Sequence, residues 1–528
     1  MWDRVRKSLA PSRVFGNGAV SLWWMIAWVS ALYWPVTLGL AARKQFWNDE
    51  LFTYYISALD TFPRIWSALL TAADQNPPLF YWLSHKAAAA AGPNLIGLRL
   101  PAMAGFWIAA VCMLAFVSRR LPAVYGLLGA LILMESRAYW FSYEARPYGL
   151  VLGFAAAALL CWQHAEEPRA PWWAAGLALA LGLASSMHYY SILLFLPIAA
   201  AEVCRGWIQR RLNWPVWLAL AAAGTSLLLY LPLIRSARSY SGTFWAKAGL
   251  GALSEYPLFI GTPALLTLTG IALLWAVFAS TAPRTSPETL NRSVFPPAEL
   301  VGALGMLCVV PLAVALGKFV TGAYTHRYAL SAAIGLSFLI VWLLAAAFQA
   351  RPGPALILAG IFSGAFLIQG AAEIAKPGAD ARYDHSRVIL TLENDLPPDL
   401  SIAVADPLLF FELSHQAPPA MKSRLFYVAE PKIALRRVGT DSLDRGFIGM
   451  QPFAALRVST LASVMSARRK FLIVGYPAVS WSWLVDELTS RHVPLSVVAS
   501  LGHTVVLLAE PGSTVAKKLG ASNAQSSR

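Results

Sequence analysis

Long apolar runs separated by short polar connections dominate the first 375 residues of the chain. Each run has about the length of a hydrocarbon core, roughly 20 residues, which predicts a polytopic α-helical membrane protein. About eleven transmembrane helices are predicted, within a range of ten to thirteen, because the third run and the run near 190–204 are short. The predicted spans lie near residues 19–40, 97–117, 121–135, 148–163, 172–187, 190–204, 214–234, 256–280, 299–316, 328–349 and 354–375.

The pattern changes after residue 375. The stretches "SIAVADPLLFF", "KFLIVGYPAV" and "LSVVASLGHTVVLLAEP" are typical of short buried strands. Between the last two, "SWSWLVDELTSRH" has the spacing of a helix. We therefore predict a transmembrane domain over 1–375, a soluble α/β domain over 376–511 and a disordered tail over 512–528.

Composition supports the membrane class. Of the 528 residues, 57% are hydrophobic and 13% charged, and the mean hydropathy is +0.55. The formal net charge is +15, but Lys and Arg are scattered over the loops, which favours lipid headgroups or anionic lipid-linked substrates over nucleic acid. All four cysteines fall in or at the ends of predicted spans and indicate neither disulfides nor a metal site.

Basic residues beside the predicted spans indicate how the chain is oriented in the membrane. The N-terminus is basic and its apolar run is longer than a signal-peptide core, so a retained first helix with a cytoplasmic N-terminus is predicted. Basic flanks in "SRR" and "RGWIQRR" support this assignment. The segment 43–96 is then a large first outer loop, and the α/β domain lies on the same extracytoplasmic side.

Four polar clusters interrupt the apolar pattern, and all four fall on the predicted outer side. Each has a structural explanation: solvated carboxylates at a helix end, a Pro-Pro helix start, an aromatic belt with a Glu–Arg pair, and an interfacial His. Together they also indicate a site at the mouth of a membrane cavity. The clusters are "FWNDELFTYY" with Asp49 and Glu50, "AADQNPPLFYWLSHK" with Asp74, Asn76, His85 and Lys86, "SRAYWFSYEARPYGL" with Tyr143, Glu144, Arg146 and Tyr148, and "GKFVTGAYTHRYAL" with His326, Arg327 and Tyr328.

At these residues the sequence resembles a known family. The motifs "NDE", "NPPLFYWL", "EARPYGL", "FWAK" at Phe244 to Lys247 and "HRYAL" are similar to those of polyprenyl-phosphate-dependent glycosyltransferases of the C-type membrane fold, GT-C. The bacterial family-39-like enzymes are nearest in pattern; they resemble protein O-mannosyltransferases and lipid A aminoarabinose transferases. The resemblance covers about residues 20–350, and the C-terminal domain carries no recognisable motif.

The resemblance implies transfer of a sugar from a polyprenyl-phosphate donor, with inversion, on the extracytoplasmic face of a bacterial inner membrane. The acceptor would be a glycan, a lipid or a protein. A phosphate leaving group needs little protonation, so the reaction needs one base for the acceptor hydroxyl and cations for the phosphate. Asp49 is then the candidate base, and Glu50 the residue that orients the acceptor or holds a metal.

Other residues of the clusters are expected to bind substrate. The candidates for binding the donor phosphate, in order, are Arg146, Arg327, Lys247 and Lys86. The two arginines come first because a planar guanidinium binds two phosphate oxygens at once. Aromatic residues either stack on sugar and line a lipid groove or anchor the membrane interface; they are Tyr143, Tyr148, Tyr328, Phe46 and Trp47. The remaining polar candidates are Glu144, Asp74, Asn76, His85 and His326.

The reaction does not demand a cofactor, although some relatives bind a divalent metal ion. Such an ion would have to draw on residues without the tight spacing of a helical His pair, namely Glu50, Asp74, Glu144, His85 and His326. Three other functions remain open: a transporter or flippase for lipid-linked glycans, an oligosaccharide ligase or polymerase, and a non-catalytic scaffold. Against a flippase, the predicted spans are nearly free of charge.

Overall fold

The computed structural model describes residues 18–166, 170–255, 262–280, 295–376, 385–475, 481–501 and 504–512. Before residue 377 the described chain is mainly helical. The helices are α1 (Gly18–Arg43), α2 (Asn48–Ser57), α3 (Phe62–Leu70), α4 (Pro78–Ala91), α5 (Leu95–Ser118), α6 (Ala123–Glu135), α7 (Tyr148–His164), α8 (Ala170–Met187), α9 (Phe195–Gln209), α10 (Trp214–Leu229), α11 (Leu231–Arg238), α12 (Pro263–Ser280), α13 (Pro297–Gly305), α14 (Val309–Leu316), α15 (Ala332–Ala347) and α16 (Pro352–Ala375). Shorter 3-10 helices include Arg137–Tyr143, Tyr189–Leu194 and His326–Ala329.

The apolar helices confirm the prediction of a mostly helical protein able to cross a membrane several times. Among the described residues, five segments are long and apolar enough to span one: Leu22–Arg43, Leu95–Ser118, Tyr189–Gln209, Pro297–Thr321 and Pro352–Ala375. The count becomes seven if two bent pairs are each one span: Arg137–Tyr143 with Tyr148–His164, bent by 118°, and Trp214–Leu229 with Leu231–Arg238, bent by 59°. Eleven spans stays a prediction, and residues 256–261 of the eighth span lie outside the described residues.

Glycines let α5 and α7 pack backbone against backbone. A Cβ atom at Gly105 would collide with the backbone of Leu150, and one at Gly149 would collide with the carbonyl oxygen of Ala102. Such small-residue contacts are the usual way in which membrane helices approach closely. This contact sets the start of α7, and with it the position of the preceding "EARPY" segment.

We expect the Gly149→Ala substitution to destabilise the protein by about 1–3 kcal/mol, because the new methyl group meets rigid backbone and one helix must move. The melting temperature of the purified protein in detergent measures this. Gly364→Ala in α16 is the matched control: nothing lies within 4 Å of a Cβ there, and alanine is the better helix former. Equal melting temperatures for the two variants would show that α5 and α7 pack less closely than the structure indicates.

The C-terminal part contains one six-stranded sheet, which agrees with the predicted α/β character. Its order is β3-β2-β1-β4-β6-β5; β1 to β4 pair in parallel, and β6 runs antiparallel to both β4 and β5. The strands are β1 (Ile402–Val404), β2 (Leu425–Val428), β3 (Val458–Ser459), β4 (Phe471–Gly475), β5 (Leu495–Leu501) and β6 (Thr504–Ala509). The helices are α17 (Ser386–Asn394), α18 (Pro407–Gln416), α19 (Pro419–Lys422), α20 (Pro431–Val438), α21 (Ser442–Met450), α22 (Leu461–Ser466) and α23 (Leu484–Ser490).

The strand predictions need two corrections. Strand β5 was predicted to be buried, but it lies at the edge of the sheet, and Val497 is 67% exposed. Only the first half of "SIAVADPLLFF" is a strand, because Asp406 accepts hydrogen bonds from the backbone N–H groups of Leu408 and Leu409 and so caps α18. Pro407 fits the first turn of that helix, where no N–H is needed. The helix predicted in "SWSWLVDELTSRH" is present as α23. Of the predicted disordered tail, only Gly512 belongs to the described residues.

Helix α18 packs directly on α2. The ring of Phe411 lies 4.8 Å from that of Phe52 and 5.2 Å from that of Tyr55, measured between centroids. At the start of α2, Asn48 Nδ2 donates a hydrogen bond of 3.0 Å to Glu412, whose other oxygen lies 2.5 Å from His385 Nε2. The sheet-containing part therefore positions the first turn of α2, where the adjacent carboxylates Asp49 and Glu50 lie.

Candidate active site

A cavity of about 360 Å³ lies between α2, the α10–α11 bend, the turn after α14 and the start of α21. Residues from several separate segments of the first 330 positions share its wall, together with Ser442 and Leu443 from the sheet-containing part. The predicted site residues that line it are Asp49, Asp74, Asn76, Arg146, Tyr148, Arg327 and Tyr328. Helix ends far apart in the chain are thus brought to one pocket.

Asp49 and Arg327 form the first of two ion pairs in the cavity. Arg327 Nη1 lies 2.6 Å from Asp49 Oδ2, and the aspartate side chain is 23% exposed. Burial alone would lower the pKa of Arg327, but the nearby carboxylate of Asp49 raises it above its ordinary value. Asp49 thus lies at the cavity with its carboxylate held by a fully cationic guanidinium.

Asp74 and Arg146 form the second ion pair, and both are buried. Arg146 Nη1 lies 2.5 Å from Asp74 Oδ2 and donates a further hydrogen bond of 3.1 Å to the backbone carbonyl of Asp49. Burial would raise the pKa of Asp74, yet the guanidinium of Arg146 and its hydrogen bonds lower it below the usual range. Asn76 donates to the same carboxylate at 3.3 Å.

Part of the cavity wall is apolar. It is made by Leu227, Ile234, Leu316 and Val320. Beside it, Leu228, Leu229 and Phe319 are among the large apolar side chains exposed on the outer surface of the helices. Because membrane-spanning helices present such residues to lipid, the wall connects a charged pocket with the bilayer-facing surface. This arrangement fits a ligand with an anionic head and a long apolar tail.

Glu50 does not join Asp49 in the cavity. Its side chain is fully buried, and Arg99 donates to both carboxylate oxygens, from Nε at 2.7 Å and from Nη2 at 2.8 Å. The backbone N–H of Ala145 donates to Oε1 at 2.6 Å. Neighbouring positions on a helix point about 100° apart, which directs the two carboxylates to different partners. In this position Glu50 ties α2, α5 and the "EARPY" segment together rather than facing a substrate.

Sequence reasoning missed Arg99, the partner of Glu50. It is fully buried in a helix long and apolar enough to span a membrane. It also donates to the backbone carbonyls of Ala41 and Lys44 at the end of α1. A signal was present, because a single arginine inside an apolar helix needs a buried acidic or carbonyl partner.

Several predicted residues lie elsewhere. Lys44 Nζ lies 2.6 Å from Glu144 Oε1 and 5.6 Å from the centre of the Tyr143 ring, and neither predicted residue lines the cavity. On α4, His85 stacks on Trp82 and hydrogen-bonds the carbonyl of Ser57, while Lys86 Nζ lies 4.2 Å from the same indole. These positions serve the packing of the helix ends that surround the site.

The other predicted residues border the site. Phe46 packs beneath the guanidinium of Arg99. The Cζ atom of the Arg327 guanidinium lies 5.7 Å from the centre of the Trp47 ring. His326 lies beside Arg327, and burial together with that charge lowers the pKa of His326 to about 4. Lys247 is exposed and does not line the cavity, although the preceding Phe244 and Trp245 do.

The five residues considered for a metal ion do not converge. Glu50 pairs with Arg99, Asp74 with Arg146 and Glu144 with Lys44, while His85 contacts a carbonyl group and an indole. Within the described ranges, no group of three or more His, Cys, Asp or Glu side chains could hold a metal ion. In this arrangement each acidic group of the set is neutralised by a side-chain cation.

The cavity also contains residues that were not predicted, notably His188, Tyr190 and Arg238. His188 and Tyr190 belong to "SSMHYY", where two predicted spans meet. Under the predicted topology this connection faces the same side as the four clusters, so the polar break between two apolar runs was the available signal.

The helices define a multi-pass membrane protein, and the comparison with solved structures shows that its fold is of the ArnT type. Over 94% of its length the chain superposes on the crystal structure of ArnT from Cupriavidus metallidurans bound to undecaprenyl phosphate, with a TM-score of 0.57, 15% identity and 98% of that chain covered. The apo state of the same ArnT matches with a TM-score of 0.49 and 14% identity over 93% of this chain and 98% of that chain. The predicted resemblance is thus confirmed for the fold. No protein-family model and no curated protein matches the sequence.

Proposed function

We propose that this protein transfers a sugar from a polyprenyl-phosphate donor to an acceptor hydroxyl, with inversion at the anomeric carbon. The observation that carries the proposal is the cavity, which Asp49, Arg146 and Arg327 line together with apolar residues that lie beside an exposed apolar surface. A lipid-linked sugar phosphate has this combination of an anionic head and an apolar tail. The similarity to ArnT, whose crystal structure contains undecaprenyl phosphate, supports the same class of donor.

The reaction is a single displacement. Asp49 takes the proton of the acceptor hydroxyl while that oxygen attacks the anomeric carbon. The bond from that carbon to the phosphate oxygen breaks, and its electron pair leaves with the polyprenyl phosphate. Arg327 and Arg146 stabilise the charge that develops on the phosphate, because guanidinium groups bind phosphate oxygens in pairs.

The closed ion pair orders the two substrates. With Arg327 Nη1 only 2.6 Å from Asp49 Oδ2, the base is occupied until another anion engages the guanidinium. The donor phosphate is such an anion, so its binding releases Asp49 for the acceptor. Donor binding therefore precedes acceptor activation, which limits loss of the sugar to water.

We also propose on which side of the membrane the active site and the α/β domain lie. The active site and the α/β domain, residues 376–511, are assigned to the extracytoplasmic side of a bacterial inner membrane, and residues 1–375 to a domain with about eleven spans. The acceptor hydroxyl belongs to a glycan, a lipid or a protein that reaches this side. The contact of Ser442 and Leu443 with the cavity supports a part for the α/β domain in closing the site.

The decisive experiment offers purified protein a panel of polyprenyl-phosphate monosaccharides in detergent, with a crude envelope extract as the source of acceptor. We expect transfer or hydrolysis of one donor by the wild type. In Arg327→Ala protein, kcat/KM should fall by about a hundredfold or more, with partial recovery in Arg327→Lys, because an ammonium ion cannot bind two oxygens in a plane. Exposed Arg64, which pairs with Asp60 one turn away, supplies the matched control Arg64→Ala.

Two outcomes would contradict the proposal. Full activity of the Arg327→Ala protein would show that this guanidinium does not bind the donor phosphate. Failure of the wild type to cleave any donor, combined with movement of an intact lipid-linked sugar across vesicles, would favour a flippase.

A further inference from the structure

His188 stands out among the cavity residues because none of the predicted chemistry uses it. It lies in the connection between α8 and the 3-10 helix Tyr189–Leu194, and its residue is only 7% exposed. Its Nδ1 atom accepts a hydrogen bond of 3.2 Å from the backbone N–H of Tyr190, so the side chain caps this short helix.

This capping bond determines the tautomer. A neutral imidazole has one nitrogen that accepts and one that donates, and Nδ1 is the acceptor here. The proton is therefore on Nε2. Among the residues that the structure describes, Nε2 has no hydrogen-bond partner, and the ring lines the cavity. An N–H donor is consequently available to a ligand.

The surroundings of His188 are cationic and aromatic. Its ring centroid lies 4.7 Å from that of Tyr328 and 5.7 Å from that of Tyr148. Burial, followed by the positive charges of Arg146 and Arg327, lowers the pKa of His188 to about 3. The imidazole is therefore neutral at physiological pH, and it lines the same cavity as both guanidinium groups assigned to the phosphate.

We propose that the Nε2–H group of His188 donates a hydrogen bond to the phosphate of the lipid-linked donor, beside Arg146 and Arg327. The inference rests on the proposed function and adds a third phosphate ligand to it. The leaving phosphate gains negative charge as the sugar departs, so a donor that is already oriented stabilises the transition state more than the ground state.

A neutral donor has an advantage over a third cation. The product, a phosphate monoester, carries more negative charge than the diester from which it forms. An additional positive charge would retain that product strongly, whereas an imidazole N–H contributes direction with less added attraction. His188 accordingly favours turnover as well as phosphate recognition.

Two substitutions separate the capping role from the phosphate role. In His188→Asn, the amide oxygen takes the place of Nδ1 and still caps the helix, but no group reaches the position of Nε2. In His188→Gln, the amide nitrogen reaches about as far as Nε2 and restores the donor. We expect kcat to fall by at least about tenfold in the Asn variant and by less than about threefold in the Gln variant.

The donor panel described above provides the assay, with melting temperature and inhibition by undecaprenyl phosphate measured in parallel. The Asn variant should keep the melting temperature of the wild type and show weaker inhibition. Wild-type activity in the Asn variant, or an equal loss of activity in both variants, would overturn the assignment of His188 while leaving the proposed function intact. Absence of turnover and of lipid-phosphate inhibition in the wild type would instead overturn the proposed function, and this inference with it.

Discussion

Purified Asp49→Asn protein is expected to turn over its donor at least about a hundredfold more slowly than the wild type. The amide has the shape of the carboxylate but cannot take the proton of the acceptor hydroxyl. The loss should appear in kcat. Donor binding should be unchanged or tighter, because the phosphate no longer has to displace the Asp49 carboxylate from Arg327. Steady-state kinetics with the donor identified in the panel, together with direct lipid binding, would measure both effects.

The matched control is Asp60→Asn. Asp60 is a carboxylate of the same predicted outer loop, but it is 68% exposed and pairs with the exposed Arg64. It should keep wild-type kinetics. If Asp49→Asn were fully active, the base would have to be Asp74, the other carboxylate among the described residues that line the cavity. Glu50 is a poor alternative because Arg99 occupies both of its oxygens.

Arg99→Met is expected to lower the free energy of unfolding by about 3–5 kcal/mol, the largest stability effect among these variants. The substitution leaves Glu50 fully buried without the cation that donates hydrogen bonds to both of its oxygens. Burial raises the pKa of Glu50, and at present Arg99 and Lys44 hold it below the usual range despite that burial. Thermal unfolding in detergent should therefore show a much lower melting temperature in the variant.

The double variant Arg99→Met with Glu50→Gln tests the cause. Removing the charge of Glu50 should recover a large part of the lost stability, since a neutral amide costs far less to bury than a carboxylate. No recovery would mean that the hydrogen bonds from Arg99 to the carbonyl groups of Ala41 and Lys44 carry the effect. The exposed pair of Arg64 and Asp60 provides the comparison, and its loss should cost about 1 kcal/mol or less.

The two predictions separate carboxylates that are adjacent in the chain. Asp49 should matter for chemistry and little for stability, whereas Glu50 should matter for stability. A substitution at Glu50 could still reduce activity, because it orders the first turn of α2 and the "EARPY" segment that carries Arg146. Measuring kinetics and melting temperature for every variant distinguishes these routes.

The membrane class, the helical character and the position of the sheet were predictable from the sequence. Apolar runs such as Leu95–Ser118 are long enough to cross a membrane, and lipid leaves helices as the simplest way to satisfy their backbone groups. The change to short apolar stretches near Ile402 and Phe471 likewise predicted strands, because that pattern is local. At Asp406 two local signals competed. The strand was predicted to continue past this residue, but Asp406 caps a helix and the strand ends before it.

The composition of the cavity was predictable only in part. The sequence by itself determined that acids, arginines and aromatics would collect between the apolar runs, because those runs leave few other places for them, and it predicted that the clusters share one side of the membrane. Only the tertiary structure decided that Asp49 faces the cavity and Glu50 faces Arg99, and that His188 lines the same cavity as Arg146 and Arg327. Hydropathy records how each segment partitions between water and lipid, whereas the partner of a charged side chain depends on which helix ends pack together. Those contacts join residues up to hundreds of positions apart, and no local pattern contains them.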